Sequence, residues 1–91
     1  MKSVIQQDKK CFICGRSSGL EEHHIFGGPN RKLSEQDGLK VWLCYECHRT
    51  GRYAVHTNRP TMDWLHKVGQ EAYEKRHKPG DFLKRYGKNY L

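Results

Sequence analysis

Cys11 and Cys14 bracket one tight turn, Cys44 and Cys47 bracket a second, and His23, His24 and His48 lie between and beside them. These side chains bind metals and move protons. A Cys-x-x-Cys pair presents two thiolates at a bite suited to a tetrahedral ion with Zn–S near ~2.3 Å, and two such pairs complete its shell. A four-thiolate zinc keeps no open position for water. Cys11, Cys14, Cys44 and Cys47 therefore read as a structural staple. A redox-active Cys11–Cys14 disulfide is the alternative, but no βαβ pattern surrounds the motif. The histidines are left for other work. His23 and His24 are neighbours, and on a strand their side chains point to opposite faces, so they can take different roles around one centre. His48 directly follows Cys47, so the knuckle fixes its place, and His56 follows within Ala54-Val55-His56. The pattern implies two metal centres, one holding the fold and one doing chemistry.

The chain that must position these groups has 91 residues, 35% hydrophobic and 30% charged, enough for one small domain with a thin core. Such domains usually need a staple. The first ten residues are polar, with no apolar run after them, so no leader and no membrane span are expected. That points to a cytoplasmic protein, where paired Cys-x-x-Cys favours zinc over disulfides. The net charge is +7, from 17 Lys and Arg against 10 Asp and Glu. This suits a polyanionic partner, most simply nucleic acid, although solubility alone would also account for it.

Residues 1–10 read as a flexible lead-in, and 11–91 as a single domain. Leu20–Phe26 is a candidate strand carrying both adjacent histidines, followed by a Gly27-Gly28-Pro29-Asn30 turn. Residues 31–38 are polar and suit a loop or one helical turn. Leu39–Leu43 is the clearest strand, with Leu39, Val41 and Leu43 on one face and Lys40 and Trp42 on the other. Residues 48–55 suit a short helix or irregular turn, and Gly51 weakens the helical choice. Thr61 is a plausible N-cap for a helix reaching about Arg76, its core stripe being Met62, Leu65, Val68, Gly69, Ala72 and Tyr73. Asp81 can cap a second short helix bearing Phe82, Leu83 and Tyr86, stopped by Gly87. The expected architecture is α+β, a zinc-held ββ core over 11–56 with a helical extension over 61–91. Trp42 and Trp64 read as packing residues, and His66 and His77 as ordinary surface or core histidines.

Glu22-His23-His24-Ile25, then Leu43-Cys44 to Cys47-His48, then His56, resembles the HNH, or ββα-metal, nucleases. Zinc-stapled members of that superfamily carry two Cys-x-x-Cys knuckles flanking the motif in this way. His23-His24-Ile25-Phe26-Gly27-Gly28, Met62-Asp63 and Gly87-Lys88-Asn89-Tyr90-Leu91 look similar to small phage and prophage HNH proteins. The resemblance implies a ββα-metal core and cleavage of DNA phosphodiester bonds. It makes His23 a ligand of a catalytic divalent ion, His24 the general base, and His48 a residue facing the same ion. The common spacing for a third ligand falls on Gly51 and Arg52, which leaves His56 as the substitute. Imidazole ligands suit Mn²⁺, Ni²⁺, Co²⁺ or Zn²⁺ better than Mg²⁺. Arg49 or Arg52 could add charge at the scissile phosphate, and Arg31, Lys32, Arg49, Arg52 and Arg59 are candidate DNA contacts. The implied partner is DNA, with a homodimer or a phage protein as a further partner, in a bacterial or phage-infected cell. The rival class is a non-catalytic zinc-binding module for nucleic acid or protein. That class explains the cysteines and the charge but not the positions of His23, His24 and His48.

Overall fold

Alternation along two short strands organises the molecule. A computed structural model describes residues 2–91, and in it strand β1 (Leu20–His24) pairs antiparallel with β2 (Lys40–Cys44). His23 stands opposite Val41, and His24 opposite Lys40. The period of two puts Glu21 and His23 on the face of Val41 and Leu43, and Glu22 and His24 on the face of Lys40 and Trp42. The first expected strand ends two residues early, and the second is shifted by one residue, losing Leu39 and gaining Cys44. Ile25 and Phe26 leave the sheet and enter the core, Ile25 still donating to the Leu39 carbonyl at 3.0 Å. Leu39 precedes β2 because its N–H is taken by the Ser34 carbonyl at 2.9 Å. The result is a small α+β protein built on a two-stranded sheet.

The 31–38 segment is more ordered than its polarity implies. It forms helix α1 (Arg31–Asp37), entered through a single 3₁₀ turn (Gly28–Asn30) and closed by Gly38 at φ 69°. A side chain at Gly38 would collide with the Lys2 carbonyl, because the N-terminal segment crosses there. That segment, expected as a lead-in, is tied along the free edge of β2. Val4 N–H donates to the Gly38 carbonyl (3.0 Å), Ser3 Oγ to the Lys40 carbonyl (2.6 Å), and Trp42 N–H to Gln6 Oε1 (2.9 Å). An exposed strand edge is satisfied in this way.

After β2 the chain makes a π-helical turn (Glu46–Thr50), which ends at Gly51 because a Cβ there would lie 2.7 Å from the Glu46 carbonyl oxygen. Helix α2 (Arg59–Glu74) starts earlier than a Thr61 cap would allow. Asn58 is the cap, its Oδ1 accepting the Thr61 N–H at 3.0 Å. Pro60 belongs inside the first turn, where its fixed φ and missing N–H cost nothing. Helix α3 (Asp81–Tyr86) is stopped by Gly87 at φ 80°, as expected, but Gly80 precedes it and Asp81 accepts from Lys78 N–H instead of capping. Tyr86 Oη and Arg85 Nε both donate to Asp37, which ties α3 to α1. Among the described residues no helix is long and apolar enough to cross a membrane.

Phe26 is the centre of the core, ringed by Phe82, Tyr86, Tyr90 and His66 at centroid distances of 4.9–5.3 Å. The α2 stripe includes one residue that hydropathy misses, Gln70, which is 3% exposed. Gly69 permits the closest approach: a Cβ there would lie 2.8 Å from Ile25 and 2.9 Å from Phe26. Gly69→Ala should therefore lower stability by about 1–3 kcal/mol through overpacking, although alanine is the better helix former by ~1 kcal/mol. Urea unfolding checks this; a stabilised variant would contradict the packing.

Candidate metal centre

The two knuckles fold alike. In each, the second cysteine's N–H points at the first cysteine's sulfur at 3.5 Å. Gly15 at φ 82° lets the first knuckle turn, and Phe12 N–H donates to the Trp42 carbonyl, which docks that knuckle on β2. The second knuckle begins at the last residue of β2. The four sulfurs converge within 4.8 Å of one another, with Cys14 Sγ 3.7 Å from Cys44 Sγ. No disulfide joins them. The edge of a tetrahedron with Zn–S of ~2.3 Å is about 3.8 Å, so the cluster is compatible with a structural zinc. Burial opposes ionisation in this cluster and pushes the Cys47 thiol up. At Cys11 burial is outweighed by backbone groups of Cys14, Cys44 and Ile13, which bring the thiol down to about 6. Four thiolates this close need a cation among them.

A second cluster forms from His23, His48 and His56, whose ligand atoms also lie within 4.8 Å of one another. β1 supplies His23, the π-helical turn supplies His48, and a backbone bond from His56 N–H to the His48 carbonyl (3.3 Å) returns His56 beside it. His48 Nε2 and His56 Nε2 are 3.0 Å apart. Two imidazole nitrogens at that distance share a proton or, both unprotonated, share a cation; a tetrahedral ion with metal–N of ~2.0–2.1 Å sets its nitrogens about 3.3 Å apart. Among the described residues, His23 Nε2 is the one buried side-chain polar atom without a hydrogen-bond partner. Such orphans are costly, and an ion in this cluster would satisfy it.

The tautomer of His48 is also set. Its Nδ1 lies 2.7 Å from Glu21 Oε1, and donation there leaves Nε2 as the lone-pair nitrogen. The bond to His48, and then one from Arg49 Nε at 3.2 Å, hold the Glu21 carboxyl below its usual range. Burial, followed by the charge of His48 and His56, depresses His23 to about 3. Burial lowers His56 as well. His23 and His56 are neutral imidazoles near pH 7, the form that binds metals.

His24 faces the other way, as its strand position requires. Its Nε2 lies 2.7 Å from Glu35 Oε1. Glu22, His24 and Glu35 also approach one another closely enough to hold an ion, but Lys40 Nζ already occupies that place, 3.0 Å from Glu35 and 3.2 Å from Glu22. That face is an ion-pair network that holds the His24 ring. The two faces rejoin at the end of β1, where His23, His24, Gly27 and His56 line two adjoining clefts. Arg31 and Arg49 line one, and Arg59 lines the other. Arg52 stacks over Tyr53 beside the second knuckle, away from the histidines, and Lys32 is exposed on α1 and lines neither cleft.

Glu21 and Glu35 were not among the expected site residues. Glu21 could have been found, since it is two positions before His23 on one face of a strand. Glu35 lies on a helix that the polar 31–38 stretch does not announce. Comparison of the chain with protein-family models, with curated proteins and with solved structures finds no match.

Two outcomes follow from these clusters. Chelation under reducing conditions should release one tightly held zinc per chain and collapse the helical circular dichroism, and Cys44→Ser should reproduce the collapse; a chain that stays folded without zinc would contradict the staple. The second concerns pH. Between 6.5 and about 3 the unfolded chain binds a proton at His23 that the folded chain does not. This group's depressed pKa therefore destabilises the fold by up to ~1.4 kcal/mol per unit as pH falls through that window. Urea midpoints of zinc-loaded protein at pH 5–7 should fall more steeply for wild type than for His23→Gln.

Proposed function

We propose that this chain is a metal-dependent endonuclease of the HNH, or ββα-metal, type that hydrolyses DNA phosphodiester bonds. The observation that carries the reading is the orphaned His23 Nε2 facing His48 and His56, with His24 lining the same clefts. In this reading the four cysteines hold a structural zinc, and His23, His48 and His56 hold a divalent ion, Mn²⁺, Ni²⁺, Co²⁺ or Zn²⁺ before Mg²⁺. When bound, that ion supplies charge neutralisation at the phosphate and the leaving 3′ oxygen.

The chain's own residues do the rest. Glu21 fixes His48 with Nε2 free for the ion. Glu35 accepts from His24 Nε2–H, which leaves Nδ1 as the ring's acceptor. His24 takes a proton from water at Nδ1 as the water oxygen bonds to phosphorus and the P–O3′ bond breaks. Lys40 Nζ donates to both Glu35 oxygens at 3.0 Å and holds the carboxylate in place. Arg49 and Arg31, exposed at the mouth of the cleft, take the non-bridging oxygens. So small a domain carries few base-reading elements, so cutting is weakly sequence-selective, or targeted by a second copy or a partner protein.

Cleavage of supercoiled plasmid with Mn²⁺, Ni²⁺ or Mg²⁺ tests the proposal. Wild type should nick or linearise the plasmid. His24→Ala should lose about 10²–10⁴-fold in rate while keeping metal content and DNA affinity, as removal of a general base does. Equal DNA binding by both proteins and no cutting under any metal would leave a non-catalytic binding module instead.

A further inference from the structure

The second cleft at the histidine junction contains groups that the phosphodiester chemistry does not use. It is about 420 Å³ in volume, and its far wall is the C-terminal tail. Met62, His66 and Tyr90 give it a largely apolar side, and Arg59 and Lys88 give it a basic rim. Asp63 is the one carboxylate in the lining, and Arg59 Nε pairs with it at 3.3 Å, so the rim stays net positive. An apolar slot with two convergent cations is the form of a site for an amphiphilic anion.

The tail is built into place. Gln70, buried on α2, accepts the Tyr90 N–H at 2.7 Å and donates to Asn89 Oδ1 at 2.7 Å. A buried amide spent on the tail fixes Tyr90 as a rigid wall. The Tyr90 ring packs on His66 (4.5 Å between centroids), Phe26 (5.2 Å) and Phe82 (6.1 Å). Lys88 Nζ lies 5.2 Å from the ring centroid. Lys88 is exposed, so its ammonium can lift off the ring while keeping its charge at the rim. A nucleotide matches both features, its base against an aromatic ring and its phosphate against a cation.

We propose that this cleft is a subsite for the nucleotide flanking the scissile phosphate. It rests on the reading of the histidine centre as a nuclease site. Tyr90 stacks on the base, and Lys88 and Arg59 hold the adjoining phosphate. The strand then runs from the Arg31–Arg49 side, across the histidines, into the Tyr90 slot. A slot closed by one ring accepts an unstacked base, so the ligand is single-stranded or locally opened DNA.

The test is fluorescence anisotropy of the zinc-loaded full chain with a fluorescein-labelled thymidine octamer and its abasic counterpart, without added Mn²⁺ or Ni²⁺. Wild type should bind the octamer at least about fivefold tighter than the abasic strand. Tyr90→Leu should erase that preference, and Tyr90→Phe, which keeps the ring, should restore it. Lys88→Ala, at an exposed position, should reduce the salt slope of log K by about 0.7. Folded Tyr90→Leu and Lys88→Ala proteins that bind both strands like wild type would overturn the subsite. The two proposals separate on plasmid cleavage. Cutting that persists with unaltered binding in both variants sinks only the subsite. A base preference that depends on Tyr90, in a wild type that never cuts, sinks only the nuclease.

Discussion

The convergence of two cysteine knuckles, with sulfurs of Cys14 and Cys44 3.7 Å apart, is the constraint on which the rest of the molecule depends. One knuckle belongs to a loop before the sheet, and the other begins at the last residue of β2. Joining them at one point sets the direction in which the chain leaves β2, and the π-helical turn that follows carries His48 beneath β1. With only 35% hydrophobic residues, the apolar core around Phe26 is too thin to impose that direction alone. Four sulfurs compatible with a shared zinc provide what the core lacks.

Two adjacent histidines then find themselves in opposite environments because a strand alternates. His23 enters a buried cluster of imidazoles, where a proton is held only at low pH and one nitrogen lacks a partner. His24 enters a network of Glu22, Glu35 and Lys40, in which Lys40 bridges two carboxylates and one of them holds the ring. In the proposed reaction this split separates metal holding from proton transfer at neighbouring residues. Glu21 and Glu35 play matching parts on the two faces, each fixing one nitrogen of a histidine so that the other is left as acceptor.

The parts of this arrangement that were legible in the sequence are the local ones. Cys-x-x-Cys spacing describes a single turn, His48 inherits its place from Cys47, and the alternation of residues 39–43 marks β2. Gly87 ends α3 for a reason contained in one residue. Contacts across the chain left weaker traces. Ser34 and Glu35 look like loop residues until Gly38 closes a helix over the N-terminal segment. Asn58 caps α2 because Pro60 suits a first turn, which displaces Thr61. Gln70 reads as an exposed amide until the tail is seen to bond to it. The clustering of His56 with His23 and His48 depended on two backbone bonds, from Val55 N–H to the Cys47 carbonyl and from His56 N–H to the His48 carbonyl, which no spacing rule contains.

The central claim is that three imidazoles form a metal centre separate from the sulfur cluster. X-ray absorption at the Co edge, on zinc-loaded protein given one equivalent of Co²⁺, measures it directly. The account predicts a second bound metal with nitrogen or oxygen scatterers at ~2.0–2.1 Å and no sulfur near ~2.3 Å. A protein that binds no second ion, or a cobalt spectrum dominated by sulfur, would contradict it.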